Sequence, residues 1–400
     1  MPAGARATLN GPIVVLGAGY AGLRVAQEVA RHSRRRVRPI LVDRHSVHTL
    51  RTELYEIDRL AEPDADPARW LVPLSQALDA TSVEFRGGEV ESIDLDVRSV
   101  TVGGSAIPFG GLAICLGSVP AYFGVPGAAA LCHQVYGFQG AQRLASELRM
   151  RFAASAETTA RRPLRVVVVG GGSTGTELAA EIASAHWERI VAPGAVAPEV
   201  TLVTGALPLL DGLPRPLVDH ARTLLGRARV RLLEHRNVTR VSPEELELEK
   251  GDPVPFDVAV WCAGVQAPPV VRALDAPHGH SGRLRVEPTL ELPGNPGVFG
   301  VGDAAEFQDP ATGVIAPATA QAALAEAPTA GRNLVARIRG RPLVPFRYRQ
   351  RGVIVSVGVG KASGRAAGVT IWGNPAAILK SFVEKGYSFA AKHRTTPRGL

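Results

Sequence analysis

Ile13-Val14-Val15-Leu16-Gly17-Ala18-Gly19-Tyr20-Ala21-Gly22 and, far downstream, Val166-Val167-Val168-Val169-Gly170-Gly171-Gly172-Ser173-Thr174-Gly175 share one form. Each is an apolar, mostly β-branched run, then G-x-G-x-x-G, then the apolar spacing of a helix. One such motif is weak evidence. Two in the same context predict two strand–turn–helix units that each cradle a dinucleotide. In the first, Gly17 permits the tight turn, Gly19 lets a pyrophosphate approach the backbone, and Gly22 lets helix and strand pack closely. Tyr20 and Ala21 open the helix, whose N-terminal N–H groups and partial positive charge face the phosphates. Gly170, Gly172 and Gly175, with Ser173 and Thr174, repeat the arrangement. The expected fold class is α/β, with two Rossmann-like dinucleotide-binding domains. Two dinucleotides held face to face is a layout for passing electrons between them.

The two copies end differently. Ile40-Leu41-Val42-Asp43 reads as the strand after the first helix. Asp43, followed by Arg44, falls about 20 residues after the glycines, where a carboxylate accepts hydrogen bonds from ribose hydroxyls. The corresponding strand of the second copy, Val200-Thr201-Leu202-Val203-Thr204, ends on a threonine. A carboxylate there would bind a ribose 2′-hydroxyl and repel a 2′-phosphate; Thr204 does neither strongly, so NADH and NADPH both stay open, as does a weakened site. A third segment, Gly297-Val298-Phe299-Gly300-Val301-Gly302-Asp303-Ala304-Ala305, reads as strand, glycine turn and acid. Asp303 is expected to start a helix, capping its N–H groups and taking a ligand hydroxyl. With Asp43 it points to FAD in the first site.

The bulk numbers agree with this reading. A chain of 400 residues, 46% hydrophobic and 20% charged, is a soluble globular protein of two to three domains. A net charge of +8 suits an anionic partner or cofactor. Nucleic acid is not expected, because aromatics are only 5% and do not interleave with the arginines. Cys115, Cys132 and Cys262 form no metal or redox spacing, so no metal and no disulfide are expected. No signal-peptide pattern opens the chain and no apolar run is long enough to span a bilayer, which gives the expectation of a cytoplasmic protein. The simplest assembly inserts the second unit into the first. The FAD domain then takes residues 1–120 and 285–345, the NAD(P) domain 121–284, and a C-terminal region 346–400. Helices are expected over 138–153, 215–227, 317–338 and 375–391, and a Pro- and Asp-rich loop over 62–67.

Together these residues resemble the two-dinucleotide-binding flavoprotein superfamily, and within it type II NADH:quinone oxidoreductase, from about residue 12 to 360. The resemblance implies FAD on Gly17–Gly22 and a nicotinamide nucleotide on Gly170–Gly175. It places Glu177, in Thr176-Glu177-Leu178-Ala179-Ala180-Glu181, beside the nicotinamide–flavin contact, and Asp303 on the flavin ribitol. It sets His48 with Leu54-Tyr55-Glu56 beside the flavin. Gly117 after Ile114-Cys115-Leu116, and Gly264 after Trp261-Cys262-Ala263, resemble the family's two "ATG" turns. Thr319-Ala320-Gln321 resembles the start of its quinone-site motif. Pro345-Phe346-Arg347-Tyr348-Arg349-Gln350-Arg351-Gly352 resembles its P-F-x-Y-x-x-K-G. On this basis Glu177, Gln321, Arg351 and His48 are the catalytic candidates, and a homodimer is expected.

The departures are specific. Ala325 stands where a second glutamine belongs, Arg351 replaces a lysine, and Thr204 replaces an acid. Where a longer membrane anchor is expected, Ile371 to His393 sets Ile378, Leu379, Phe382, Val383 and Phe389 against Lys380, Lys385 and Lys392. That segment reads either as a weak interfacial helix touching the inner face of a membrane or as a helix folded onto its own domain. Three activities follow: reduction of a quinone-like acceptor by NAD(P)H through FAD, a soluble biosynthetic flavoenzyme acting on a small molecule, and a non-enzymatic flavin redox sensor.

Overall fold

In the computed structural model, residues 11–34, 36–157, 162–191 and 195–393 are described. The two ends of the expected domain plan, 1–10 and 394–400, lie outside them.

The first apolar run forms β1 (Ile13–Leu16), buried along its whole length, and α1 (Tyr20–His32) leaves it through the glycine turn. β2 (Ile40–Asp43), β3 (Glu84–Gly87) and β4 (Gly111–Ile114) join β1 in one parallel sheet. A three-stranded antiparallel meander over 90–108 precedes β4. β5 (Val119–Pro120) and α2 (Phe138–Glu157) lead to the second unit. There β6 (Arg165–Val169), α3 (Ser173–Ser184), β7 (Glu199–Val203), α4 (Arg215–Arg227), β8 (Arg231–Leu233) and β9 (Val258–Trp261) repeat the scheme. The strand order is β8-β7-β6-β9, all parallel, and a second meander over 238–255 precedes β9. The chain returns through β10 (Val265–Gln266), antiparallel to β5, and then β11 (Val298–Gly300) completes the first sheet beside β4. Continuous β-branched runs suit such strands because both faces of a parallel sheet are covered.

α5 (Ala320–Ile338) lies along α1 and covers one face of the first sheet. The crossing is close because the facing positions are small: Ala322, Ala323, Ala327 and Ala330 are all buried. Sequence placed the start of this helix at Pro317; the structure starts it at Ala320, because the Thr319 side chain caps Ala322 N–H at 3.3 Å. The tail forms an antiparallel sheet, β12 (Gly352–Ser356), β13 (Ala362–Ala366) and β14 (Val369–Trp372), followed by α6 (Gly373–His393).

One long-range feature was not expected. Leu54, Ile57, Leu60, Ala61 and Trp70, all in the first half of the chain, belong to the same buried cluster as Val166, Val168 and Leu202 of the second sheet. Val355 and Val357 of the tail join them. The two units are thus tied through a shared apolar core as well as through the β5–β10 pair. Among the described residues no helix is long and apolar enough to cross a membrane, and no cluster of His, Cys, Asp or Glu could hold a metal ion.

Candidate active site between the two nucleotide-binding units

Both glycine turns have the geometry their sequences require. Gly17 and Gly170 have φ of +93° and +120°, and a Cβ on either would collide with a carbonyl, Cys115 O at 2.4 Å or Cys262 O at 2.3 Å. A Cβ on Gly22 would sit 1.8 Å from Gly17 O, and one on Gly175 1.9 Å from Gly170 O, so helix and turn touch backbone to backbone. Positions Gly19 and Gly172 face open space, with nothing within 4 Å. That is the cradle a pyrophosphate needs at a helix N-terminus. The residues present therefore fit two dinucleotides.

Around the first turn, Asp43 Oδ2 accepts from Ala18 N–H at 2.7 Å and its Oδ1 from His45 N–H at 2.8 Å. Arg44 instead pairs with Glu89 at the surface. His48 is fully buried. Its Nδ1 bonds Ala18 O at 2.9 Å and its Nε2 bonds the Tyr387 hydroxyl of α6 at 3.1 Å. Tyr20 packs edge-on against His48, with ring centroids 5.1 Å apart. Burial pushes the His48 pKa down to about 4, so the ring is neutral, donating to Ala18 O and accepting from Tyr387. This geometry makes His48 a prop under the turn.

Asp303 does not start a helix. Gly302–Ala304 is a single 3₁₀ turn between two strands, and no side chain caps it. Asp303 Oδ2 accepts from the Ser118 hydroxyl at 2.9 Å, and that hydroxyl also meets Tyr136 OH at 2.7 Å. Gly117 sits next to this group with φ +69°, near Arg51 and Tyr136. Gly302 N–H is taken by Glu326 of α5 at 2.6 Å. Burial raises the Glu326 carboxyl to about 8. Sequence reading missed Glu326, although an acid on the inward, alanine-lined face of a helix is a visible signal.

The second turn differs from the first at the strand end. β7 stops at Val203, and Thr204 is buried, 1% exposed, with its methyl against Gly171. Its Oγ1 has no protein partner. The threonine expected to face a ribose instead packs inward. Gly264, φ +146°, lies under the Phe123 ring where the chain leaves the unit.

Glu177 lies on the inward face of α3 and is buried. Its Oε1 accepts from Ser356 N–H at 3.1 Å and from the Lys380 ammonium of α6. Lys380 lies 4.0 Å over the Tyr55 ring, and the Tyr55 hydroxyl meets Ser356 Oγ at 3.1 Å. Burial opposes the Lys380 charge, but Glu177, Tyr55 and Glu384 outweigh it and hold the ammonium above its usual pKa. Glu384, one turn on, is 3.7 Å from Lys380, and burial raises its carboxyl to about 8. The sequence reads Lys380 only as part of the basic side of this segment and does not single out Glu384; the link to Glu177 comes from another helix and is not visible in local spacing.

Gln321 and Arg351 meet at the opposite end of β12. Arg351 N–H donates to Gln321 Oε1 at 3.3 Å, and Gln321 Nε2 donates to Gly352 O at 3.4 Å. Ala320, the first residue of α5, adjoins them, and Ala325 packs against the apolar face of the first sheet. β12 therefore carries Gln321 at its first residue and Glu177 at its last, and the strand between those ends spans about 13 Å at 3.3 Å per residue.

The cysteines take no part. Burial pushes Cys132 and Cys262 up to about 12 and Cys115 higher still, and all three are free thiols.

Two dinucleotide cradles joined by a shared core define a flavoprotein oxidoreductase of the two-dinucleotide-binding class, pairing FAD with a nicotinamide nucleotide. Residues 11–327 match the model of the pyridine nucleotide-disulphide oxidoreductase family, and the chain belongs to it. It is 29% identical over 399 residues to the demethylphylloquinone reductase NdbB of Synechocystis, covering 96% of this chain and 94% of that one. It is 27% identical over 390 residues to a type II NADH:quinone oxidoreductase of Staphylococcus saprophyticus, covering 93% and 94%. Among solved structures it resembles NDH2 from Plasmodium falciparum in complex with NADH, with TM-score 0.81 at 13% identity over 96% and 97% of the chains. The sulfide:quinone oxidoreductase of Aquifex aeolicus superposes with TM-score 0.80 at 20% identity over 98% and 93%. These two likenesses concern the fold.

Proposed function

We propose that this protein transfers hydride from NAD(P)H through FAD to a quinone-like acceptor. The observation that carries the proposal is β12, which joins Glu177 at one end to Gln321 and Arg351 at the other. The names of both sequence relatives, a demethylphylloquinone reductase and an NADH:quinone oxidoreductase, support the acceptor class. The sequence division supports it too: 1–120 with 285–345 for FAD, 121–284 for the nicotinamide nucleotide, and 346–400 to bridge them.

FAD, when bound, supplies two-electron storage between donor and acceptor. The protein's residues supply the rest. Gly17, Gly19 and Gly22, with the Tyr20 and Ala21 N–H groups, hold its pyrophosphate; Asp43 takes the ribose and Asp303 the ribitol, with Arg44, Gly117, Gly302 and Ala320 along its length. Gly170, Gly172, Ser173, Thr174 and Gly175 hold the nicotinamide nucleotide, Gly264 lines its nicotinamide end, and Thr204 shapes the strand end without touching the ribose. The Glu177–Lys380 pair fixes charge and a proton at the donor end, and Gln321 with Arg351 orients the acceptor. His48 positions the first turn through Ala18.

The acceptor is apolar, and one surface suits it. Ile378, Phe382, Val383 and Phe389 of α6 are exposed, while Lys380 and Tyr387 of the same helix face inward to the site. We read this face as a peripheral membrane contact on the cytoplasmic side, in a homodimeric enzyme. Anaerobic titration with NADH and NADPH tests the core of the proposal: the flavin band bleaches, and a soluble quinone restores it. No bleaching by either nucleotide sinks it and leaves a sensor; bleaching without reoxidation by quinones leaves a flavoenzyme acting on another small molecule. Vesicle flotation of the wild type against Phe382→Glu tests the surface.

A further inference from the structure

We propose that the second nucleotide turn selects a 2′-phosphorylated dinucleotide, NADP(H), over NAD(H), and that Arg236 is the residue that reads the phosphate. The inference rests on the reading of Gly170–Gly175 as the nicotinamide-nucleotide site. In such a fold the 2′ position of the adenosine ribose lies beyond the end of the second strand, here β7.

Thr204 is buried and turned inward, so no acid or hydroxyl from β7 faces the ribose. The loop that follows, Gly205-Ala206-Leu207-Pro208-Leu209, carries no charge. The neighbouring strand β8 does end on an acid, Glu234, but its oxygens are already engaged. Glu234 accepts from Leu209 N–H at 3.0 Å and is gripped by Arg222 through contacts of 2.8, 3.0 and 3.2 Å. The Arg222 hydrogen bonds hold its carboxyl below the usual range, as expected of an acid that serves as a clamp for the loop. A carboxylate spent this way neither binds a 2′-hydroxyl nor, with the guanidinium upon it, repels a phosphate.

The next residues turn back to the strand end. His235 is exposed with φ +56°, and Arg236 N–H donates to Thr204 O at 2.8 Å. This pins Arg236 beside the residue that occupies the ribose-acid position. The residue is half-buried, its guanidinium makes a long 3.5 Å contact to His235 O, and it takes part in none of the ion pairs among the described residues, unlike Arg222 or Arg240, which pair with Glu234 and Glu247. Glu249, across the adjoining hairpin, is bonded to the Asn237 amide at 2.8 Å. A cation without a carboxylate partner, next to a strand end stripped of its acid, is the charge arrangement a phosphate monoester requires. Arginine is the side chain whose planar fork matches it.

The test is calorimetric titration of the FAD-loaded protein with NADP+ and with NAD+, which reads binding and needs no turnover. NADP+ is expected to bind at least about tenfold more tightly. Arg236→Ala weakens NADP+ by about tenfold to a hundredfold and leaves NAD+ within about twofold, the range of one or two charge-assisted hydrogen bonds. Arg236→Lys falls between, and unchanged flavin content and Tm show that each variant is folded. Equal affinities, or tighter NAD+, overturn the selection. An Arg236→Ala that weakens both nucleotides alike overturns the assignment of the phosphate to Arg236. If neither nucleotide binds the wild type, the nicotinamide site itself is misread and the proposal falls with it.

Discussion

The two glycine turns are near copies in backbone and opposites in what braces them. In both, the first glycine donates to the neighbouring strand, Gly17 to Val42 O at 2.7 Å and Gly170 to Val203 O at 2.8 Å. Around the first, polar groups converge: Asp43 takes Ala18 N–H, and His48 takes Ala18 O. Around the second, a loop does the bracing, with Leu210 N–H on Gly171 O at 2.7 Å and Thr204 packed under Gly171. The lesson is that the glycine pattern specifies a turn, while the residues at the next strand end specify its ligand. The first turn here is braced by a fixed acid, and the second has no acid at its strand end.

The largest expected effect comes from filling the close approaches. Gly22→Val forces a side chain into Gly17 O and should abolish bound flavin, read as flavin absorbance per protein. Gly175→Val should keep the flavin yet prevent its bleaching by any nicotinamide nucleotide. Each overpacking costs on the order of 3 kcal/mol locally. If Gly175→Val also sheds flavin, the two turns are not separable.

Next comes the junction. Lys380→Met leaves the buried Glu177 carboxylate without its cation, a loss of about 3–5 kcal/mol of stability. Thermal melts should show it, and on the proposed placement of Glu177 at the donor end stopped-flow flavin reduction should slow more than reoxidation does. Equal slowing of both half-reactions would show that the pair holds the fold and not the donor.

The pH dependence should separate the two turns as well. Burial depresses His48 to about 4 in the folded state against 6.5 unfolded. Only the unfolded chain gains this proton as pH falls below 6.5. The stability that neutral His48 supplies is therefore complete above pH 6.5 and is lost on going down towards pH 4, on the order of 3 kcal/mol in all. Flavin release on acidification should follow this limb and flatten in His48→Gln. A limb that survives the substitution belongs to another group.

The smallest effect is expected at Thr204→Val, which exchanges an unpartnered buried hydroxyl for a methyl. Stability should stay level or rise by about 1 kcal/mol, with nucleotide affinity unchanged. A tenfold loss of affinity would make the hydroxyl a ligand and break the contrast drawn between the turns.

Much of this was legible in residues 13–22, 40–43 and 166–175. Local rules write strands, tight turns and helix starts: β-branched runs bury on both faces, and a glycine stands wherever a Cβ would strike a carbonyl. The same rules gave α4 its bounds at 215–227. They misplaced the cap of α5 by three residues and gave Asp303 a helix it does not start, since a 3₁₀ turn and a helix N-terminus open with the same residues. The tail was legible only as a choice between membrane and core. In the structure α6 packs onto the protein through Lys380 and Tyr387 and leaves Ile378 and Phe382 exposed.

What the sequence determined by itself was the pair of nucleotide turns, because each is built from residues adjacent in the chain. Only the tertiary structure decided that Lys380 reaches Glu177, that Tyr387 reaches His48, and that Glu234 is consumed by Arg222. The first two contacts join residues 203 and 339 positions apart, and the third brings a helix onto the strand that follows it. Their energies depend on burial and on which opposite charge arrives, and neither is written in local spacing.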